Sequence, residues 1–285
     1  MGSVTRVNAH GQPIGDAVPG WVPPPAPEPV ALQGRWVRLE PLTAQHATDL
    51  FAETAGPRHE PLWTYSADDL PGSAEAFATY VERRAARPGL VTLAIRPRGV
   101  GAGTAPGRDP RLKYGRASGL ASWMRADPPN GTVEVGSILL GPSLQRTTAA
   151  TEAMWLMARH VFTLGYRRYE WKCDALNAPS RAAAARLGFT YEGTFRQAVV
   201  YKGRSRDTAW FSITDVEWQG LDPAYDAWLA PANFTDPETG TGQRRALSTL
   251  TRPASREPAA TVTPSGGVAK AWTPHPDHET PQGRA

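Results

Sequence analysis

The chain has 285 residues, of which 40% are hydrophobic and 20% charged, enough for one sizeable core. Its 31 basic and 27 acidic residues leave a formal net charge of +4, but they are interspersed, so no Lys/Arg block marks a nucleic-acid arm and nucleic acid is not an expected partner. The one cysteine, Cys173, excludes an internal disulfide framework and a Cys-rich zinc site, and no apolar run approaches the length of a bilayer span. Met1 to Arg6 lacks the apolar stretch of a signal peptide, so a cytoplasmic protein without a membrane partner is expected.

Residues 1–33 form a Pro/Gly-rich arm. Pro23, Pro24, Pro25 and Pro27 fix φ and remove donors, so the arm is expected to be extended, with Trp21 and Val22 able to dock on the body. The body spans 34–234. Alternation predicts a strand over 36–41, and helices follow over 44–55 and 73–86, the second with Phe77, Tyr80 and Val81 on one face. A strand over 90–96 leads into a Gly/Pro/Arg-rich loop at 97–114, long enough to be functional or mobile. Strands over 117–125 and 132–140 flank Pro128-Pro129-Asn130-Gly131, a turn that predicts an antiparallel hairpin. In a helix over 148–163, Ala150, Met154, Met157 and Val161 share one face. A strand over 169–174 is followed by an Ala-rich helix over 178–187, capped by Asn177 and ended by Gly188. Strands over 191–201 and 207–215 and a closing helix over 217–229 complete the body. Residues 235–285, rich in Pro, Gly, Ser and Thr, are expected to be a disordered tail.

Chemistry concentrates between Glu134 and Phe189. The strand over 132–140 ends at Gly141-Pro142, and a polar loop leads into a helix of small residues. The first N–H groups of such a helix, with the positive end of its dipole, suit a phosphate. Arg146 can add charge, and Gln145 and the Thr hydroxyls can add hydrogen bonds. Taken locally, the same residues also make an ordinary strand–loop–helix connection, without the Gly-Lys-Ser/Thr ending of a nucleotide P-loop.

The run Leu144-Gln145-Arg146-Thr147-Thr148-Ala149-Ala150-Thr151 resembles the CoA pyrophosphate loop of GNAT acetyltransferases, Gln/Arg-x-x-Gly-x-Gly/Ala. Gln145 matches its first position and Ala150 its last, while Thr148 stands where glycine is usual. Downstream, the segment from Glu170 to Arg181 with Asn177-Ala178-Pro179-Ser180, then Arg186-Leu187-Gly188-Phe189, resembles the RimJ/RimL-type branch, as do Glu192-Gly193, Arg196-Gln197, Lys202-Gly203-Arg204 and Asp207-Thr208-Ala209-Trp210. The resemblance covers roughly 32–234. It implies an α/β (α+β) GNAT acyl-CoA N-acyltransferase fold: a mixed, mostly antiparallel central sheet flanked by helices, with a V-shaped splay between the strands over 133–140 and 169–174. It implies acetyl-CoA as cosubstrate and no metal. The pantetheine would lie in the V and bond to the backbone near Ile138 and Leu140. Gln145, Arg146, Thr147, Thr148, Ala149 and Ala150 would hold the diphosphate, and Asn177 would face the pantetheine or its thiol end.

The activity so implied is direct transfer of an acetyl group to a primary amine, on a small molecule or a protein or peptide, by a bacterial-type enzyme acting as monomer or homodimer. The alternative is a non-catalytic acyl-CoA-binding or regulatory protein. Catalysis needs a neutral amine, a donor for the tetrahedral oxyanion and a proton for the leaving thiolate. Glu134 is the candidate base, acting through water; equally, it reads as a solvated or ion-paired strand residue. Ser180 is the candidate near the thiolate, or a first-turn cap. Ala184 stands where many members carry a Tyr, and Ala198-Val199-Val200 where ribosomal-protein acetylating relatives carry a Glu, which tilts the acceptor toward a small molecule. Trp123, Trp155, Trp171, Trp210 and Trp218 read as core, and Cys173 as a structural thiol.

Overall fold

The computed structural model describes residues 6–98 and 114–251. In chain order it contains β1 (Arg6–Val7), β2 (Pro13–Ile14), β3 (Leu32–Gln33), β4 (Val37–Pro41), α1 (Ala47–Thr54), α2 (Ala74–Ala85), β5 (Leu90–Pro97), β6 (Gly119–Asp127), β7 (Thr132–Leu140), α3 (Thr148–Thr163), β8 (Arg168–Asp174), α4 (Ala178–Arg186), β9 (Thr190–Tyr201), β10 (Arg204–Thr214), α5 (Asp215–Leu229), β11 (Phe234–Asp236), β12 (Thr241–Gln243) and α6 (Leu247–Thr251). The long loop expected at 97–114 falls almost wholly outside the described residues. Among those described, no helix is long and apolar enough to cross a membrane.

Period-two patterning explains the layers. Along β5, Leu93 and Ile95 enter one apolar core while Ala94 enters another; along β6, Ala121 and Trp123 join the first and Leu120 the second. The first core is filled by α3 and α5, the second by α1 and α2, so helices cover both faces of the sheet. The helices begin where side chains cap them: Ser73 on α2, Thr147 on α3, Asn177 on α4, and Thr214 with Glu217 as a capping box on α5.

Eight strands form the central sheet in the order β3-β4-β5-β6-β7-β8-β10-β9. Among the described residues its neighbours are antiparallel except β7 and β8, which run parallel. The parallel pair is short. It runs from Thr132 opposite Arg168 to Val135 opposite Trp171 and then parts, while β7 stays on β6 as far as Leu140 and β8 stays on β10 as far as Asp174. A bulge drives the parting. Between the pairs Ser122–Gly136 and Leu120–Leu139, β7 spends one residue more than β6, and Ser137 takes a left-handed φ of 50°. The mixed sheet and the V-shaped opening expected of the GNAT fold are thus both present.

The two flanking segments meet their expectations differently. In the arm, Trp21 docks: its Nε1 donates to Pro129 O at 3.1 Å and its ring meets Gly131, where any Cβ would collide with it, while Val22 stays exposed. The tail expected from 235 onward is corrected for 235–251, which form β11, β12 and α6. Phe234 lies edge-on to Trp36 and Trp228 at 5.1 and 5.4 Å, and Leu247 is buried. A composition argument missed these anchors because a few well-placed apolar residues suffice to fix a short hairpin. Residues 252–285 lie outside the described residues.

The outer strands carry a pH-sensitive tie. Arg168 on β8 forms two hydrogen bonds, at 2.7 and 2.6 Å, to Glu192 on β9, and Ser212 Oγ on β10 donates to the same carboxylate at 2.7 Å. Arg168 holds the Glu192 carboxyl below its ordinary value. Its stabilisation is therefore present above about pH 4.3, the unfolded-state value, and is lost as pH falls through the lower folded value. Denaturant titrations across pH 3–7 should show Glu192→Gln less stable near neutrality and less sensitive to acid than the parent.

Candidate functional site

The start of α3, Trp171 of β8 and the last turn of α4 line one cavity, whereas Glu134, Ile138, Leu140, Asn177 and Ser180 are not among its lining residues. After β7 ends, Arg146 adopts φ 62° and Thr147 caps α3, its Oγ1 accepting the Ala150 N–H at 3.1 Å. That bond satisfies one of the orphan donors of the first turn and leaves those of Thr148 and Ala149 without an intrahelical acceptor. A left-handed residue leading into such a turn makes a concave cluster of N–H groups suited to an anion. Ala149 and Ala150 are small and buried, so a ligand here meets backbone. The residues from Arg146 to Thr151 line a cavity of about 1010 Å³, which extends past Trp171 of β8 to Ala183 and Arg186 of α4. The cavity therefore joins the phosphate-suited helix start to an arm of the V.

Several expected residues have partners of their own. Gln145 turns back and donates from Nε2 to Leu140 O at 2.8 Å, so these two expected donor contacts are bonded to each other. Thr148, at the position where glycine is usual, is turned away from the helix start: its Oγ1 donates to Gly240 O at 2.6 Å. The threonine is accommodated because the β11–β12 hairpin supplies that acceptor. Ile138 sits half-buried directly after the Ser137 bulge, on the part of β7 that has left β8. Asn177 Oδ1 accepts the Ser180 N–H at 3.1 Å and caps α4, beside the end of β8.

Glu134 is 3% exposed, and its Oε2 meets Arg125 Nη1 at 2.7 Å and Lys172 Nζ at 3.1 Å. Lys172 is shared with Glu170 at 2.7 Å and lies 3.7 Å from the centroid of the Trp210 ring. Glu134 is thus buried and ion-paired rather than solvated. Both cation contacts fall on one carboxylate oxygen, Oε2. Ser180 Oγ accepts from Trp171 Nε1 at 3.0 Å, which leaves its own proton to donate. Cys173 is buried beside it, and burial pushes its thiol pKa up, in keeping with a structural thiol. Ala184 is fully buried, so the helix offers no phenol there.

Two features escaped sequence reasoning. Arg84 of α2, 6% exposed, donates from Nη2 to Ser137 O at 2.8 Å and to Ser122 Oγ at 3.0 Å, and so holds the carbonyl of the bulge. Tyr201 donates to Asp174 Oδ2 at 2.8 Å at the end of β8; burial first, then Asp174, push its pKa up to about 12. Neither lies in a motif. Both act through tertiary contacts between distant segments, so no local spacing betrays them. Among the described residues, no group of three or more His, Cys, Asp or Glu is placed to hold a metal.

Comparison with known proteins agrees with this geometry. The family model described as an acetyltransferase (GNAT) domain matches residues 37–190. A GCN5-related N-acetyltransferase from Brucella melitensis is 41% identical, with a TM-score of 0.72 over 82% of this chain and 100% of its own. A GNAT-family protein from Chromobacterium violaceum is 34% identical, with a TM-score of 0.63 over 73% of this chain and 98% of its own. RimL, a ribosomal L7/L12 alpha-N-protein acetyltransferase, is 20% identical with a TM-score of 0.51 over 68% of this chain and 99% of its own, a likeness of fold alone. A search of curated proteins returns no match. With the GNAT domain matched over more than half its length and the V-shaped splay in its sheet, the chain belongs to the GNAT acetyltransferase family.

Proposed function

We propose that the protein is an acetyl-CoA-dependent N-acetyltransferase of the RimJ/RimL-type branch, acting on a primary amine by direct attack within a ternary complex. The observation that carries this reading is the continuity of the cavity, from the N–H groups of Thr148 and Ala149 at the start of α3 to Trp171, the last residue of β8 paired with β7 before the strands part. In this reading one end takes the diphosphate, and the thioester runs from Trp171 into the opening between β7 and β8. Arg146 and Thr147 complete the phosphate end, and backbone groups near Ile138 and Leu140 receive the pantetheine.

In this reading the Ile138 N–H, next to the bulge at Ser137 on the part of β7 that has left β8, serves the tetrahedral oxyanion. Glu134 takes the amine proton through water at Oε1, the oxygen opposite its cation contacts, and the hydroxyl proton of Ser180 serves the leaving thiolate. Arg84 is a positioning residue: by gripping Ser137 O it keeps the bulge in place. Arg84→Met should lower kcat about tenfold, the size of one lost charged hydrogen bond, with KM for acetyl-CoA moving far less; Arg84→Lys should restore part of kcat. A purely structural role would lower thermal stability and leave that ratio alone.

The acceptor is a small-molecule amine in preference to a ribosomal protein, since Ala198, Val199 and Val200 offer no carboxylate on β9. Release of free CoA thiol on mixing with acetyl-CoA and a panel of polyamines, amino sugars and peptide amines tests this. Turnover on at least one amine is expected. CoA binding without turnover on any of them would favour the regulatory alternative.

A further inference from the structure

A second recess lies at the C-terminal end of α2. It is lined by Asp68, Tyr80, Arg83, Arg84 and Arg87 and has a volume of about 170 Å³. Whole small-molecule sites run to roughly 300–1,000 Å³, so this one has room for a terminal group rather than a whole ligand. Its charge is lopsided. Three guanidinium groups line it against one carboxylate, Asp68, which stands 3.6 Å from Arg84 Nη1 with its side chain 41% exposed. Arg83 and Arg87 are exposed, and neither has an ion-pair partner among the described residues.

A cation in the last turn of a helix is ordinary, because it complements the negative end of the dipole. That accounts for Arg83 but not for Arg84, which is 6% exposed. Arg84 Nη1 donates to the Tyr80 hydroxyl at 3.1 Å and Nη2 to Ser122 Oγ and Ser137 O, while its Nε–H is buried and meets no acceptor among the described residues. A buried guanidinium with an unmet donor, flanked by two without ion-pair partners, suits an oxyanion, whose geometry matches the planar fork of N–H groups. The surroundings of Arg84 also indicate what carries that oxyanion. Ser122 on β6 is paired with Gly136 on β7, and a Cβ on Gly136 would stand 2.9 Å from Glu134 Oε1. Glu134 does not line the recess, but this oxygen, the one without cation contacts, lies on the same face of the β6–β7 hairpin. Two residues of strand, roughly 7 Å, separate Glu134 from the Ser122–Gly136 pair that Arg84 reaches. A carboxylate at one point of a face and guanidinium groups at another match the two ends of a small molecule bearing both an amine and an acid.

We infer that the recess at Arg83, Arg84 and Arg87 binds the carboxylate or phosphate of the acceptor, whose amine is thereby presented to Glu134. This rests on the acetyltransferase reading and narrows its acceptor to small amines that carry an acid. No bond is made or broken at the recess; it selects and orients. The acid then shares one guanidinium with the Ser137 carbonyl, so acceptor binding and the bulge of β7 meet at Arg84.

The test pairs amines that differ chiefly in the acid: β-alanine against propylamine, and phosphoethanolamine against ethanolamine. In the full-length protein kcat/KM should favour the acid-bearing member of at least one pair by about tenfold or more, the effect of one charge-assisted contact. The double variant Arg83→Met, Arg87→Met should bring that ratio toward one, with KM for acetyl-CoA moving far less, and the double lysine variant should keep part of the preference. Nitrogen-edited NMR of the arginine Nε–H groups gives a reading without turnover. Burial should keep the Arg84 signal visible, and it should shift saturably with the acid-bearing amines and not with their neutral partners. Turnover of neutral and acid-bearing amines alike, with the Arg84 signal unmoved, would overturn the recess and leave the acetyltransferase reading standing. A saturable shift with inorganic phosphate but no preference among acceptors would make the recess a site for a free anion and overturn its assignment to the acceptor. If no amine is turned over, the acetyltransferase reading fails, and the Arg84 signal alone decides the recess.

Discussion

Arg146→Glu should raise KM for acetyl-CoA about 100-fold. Arg146 is exposed at the lip of the cavity, in a left-handed conformation that glutamate adopts at the same cost as arginine. Removing a charged hydrogen bond to phosphate costs about 1.5–3 kcal/mol, and a carboxylate in its place adds repulsion. Together these reach roughly 3 kcal/mol, or two powers of ten. The sign for the fold runs the other way. A negative side chain next to the first turn of α3 interacts favourably with the helix dipole, so the variant should unfold no earlier than the parent. Steady-state kinetics and thermal denaturation together separate the two effects: weakened donor binding with intact stability is the expected pair. Arg146→Lys, which keeps a point charge, should stay within about tenfold of the parent.

Glu134→Gln should lower kcat/KM at neutral pH by about 100-fold, the lower end of what a general base contributes. The amide keeps the size of the side chain and its place between Arg125 and Lys172, while Lys172 retains Glu170 at 2.7 Å. The informative readout is the pH profile. If Glu134 receives the amine proton, the decline of kcat/KM toward acid that reflects its protonation disappears in the glutamine variant. If the carboxylate serves only to hold its two cations, the profile keeps its shape and the loss appears in thermal stability.

The sequence made much of this legible. The helix over 148–163 and the strand over 132–140 coincide with α3 and β7: the helix has a periodic apolar face behind a polar loop ending at Thr147, and the strand stops at Gly141-Pro142. The cap at Asn177 was equally plain. Such features are local, and spacing along the chain records them. The bulge at Ser137 is different. It arises where β7 must satisfy β6 on one side while leaving β8 on the other, and only the three-stranded context fixes it. The role of Thr148 was hidden for the same reason: its hydroxyl partner is Gly240, 92 residues away in a segment whose composition suggested disorder. Arg84, 53 residues from Ser137, belongs with it. What sequence reading missed is tertiary: contacts between segments far apart in the chain.

The proposed activity requires the backbone at the start of α3 to grip the diphosphate of a CoA thioester. Isothermal titration of the full-length protein with CoA and acetyl-CoA tests this most directly. Saturable binding of both is expected, with a dissociation constant in the range of about 1 μM to 1 mM usual for enzyme substrates, and marked weakening in Arg146→Glu. No heat of binding at millimolar ligand, with the protein shown to be folded, would contradict it.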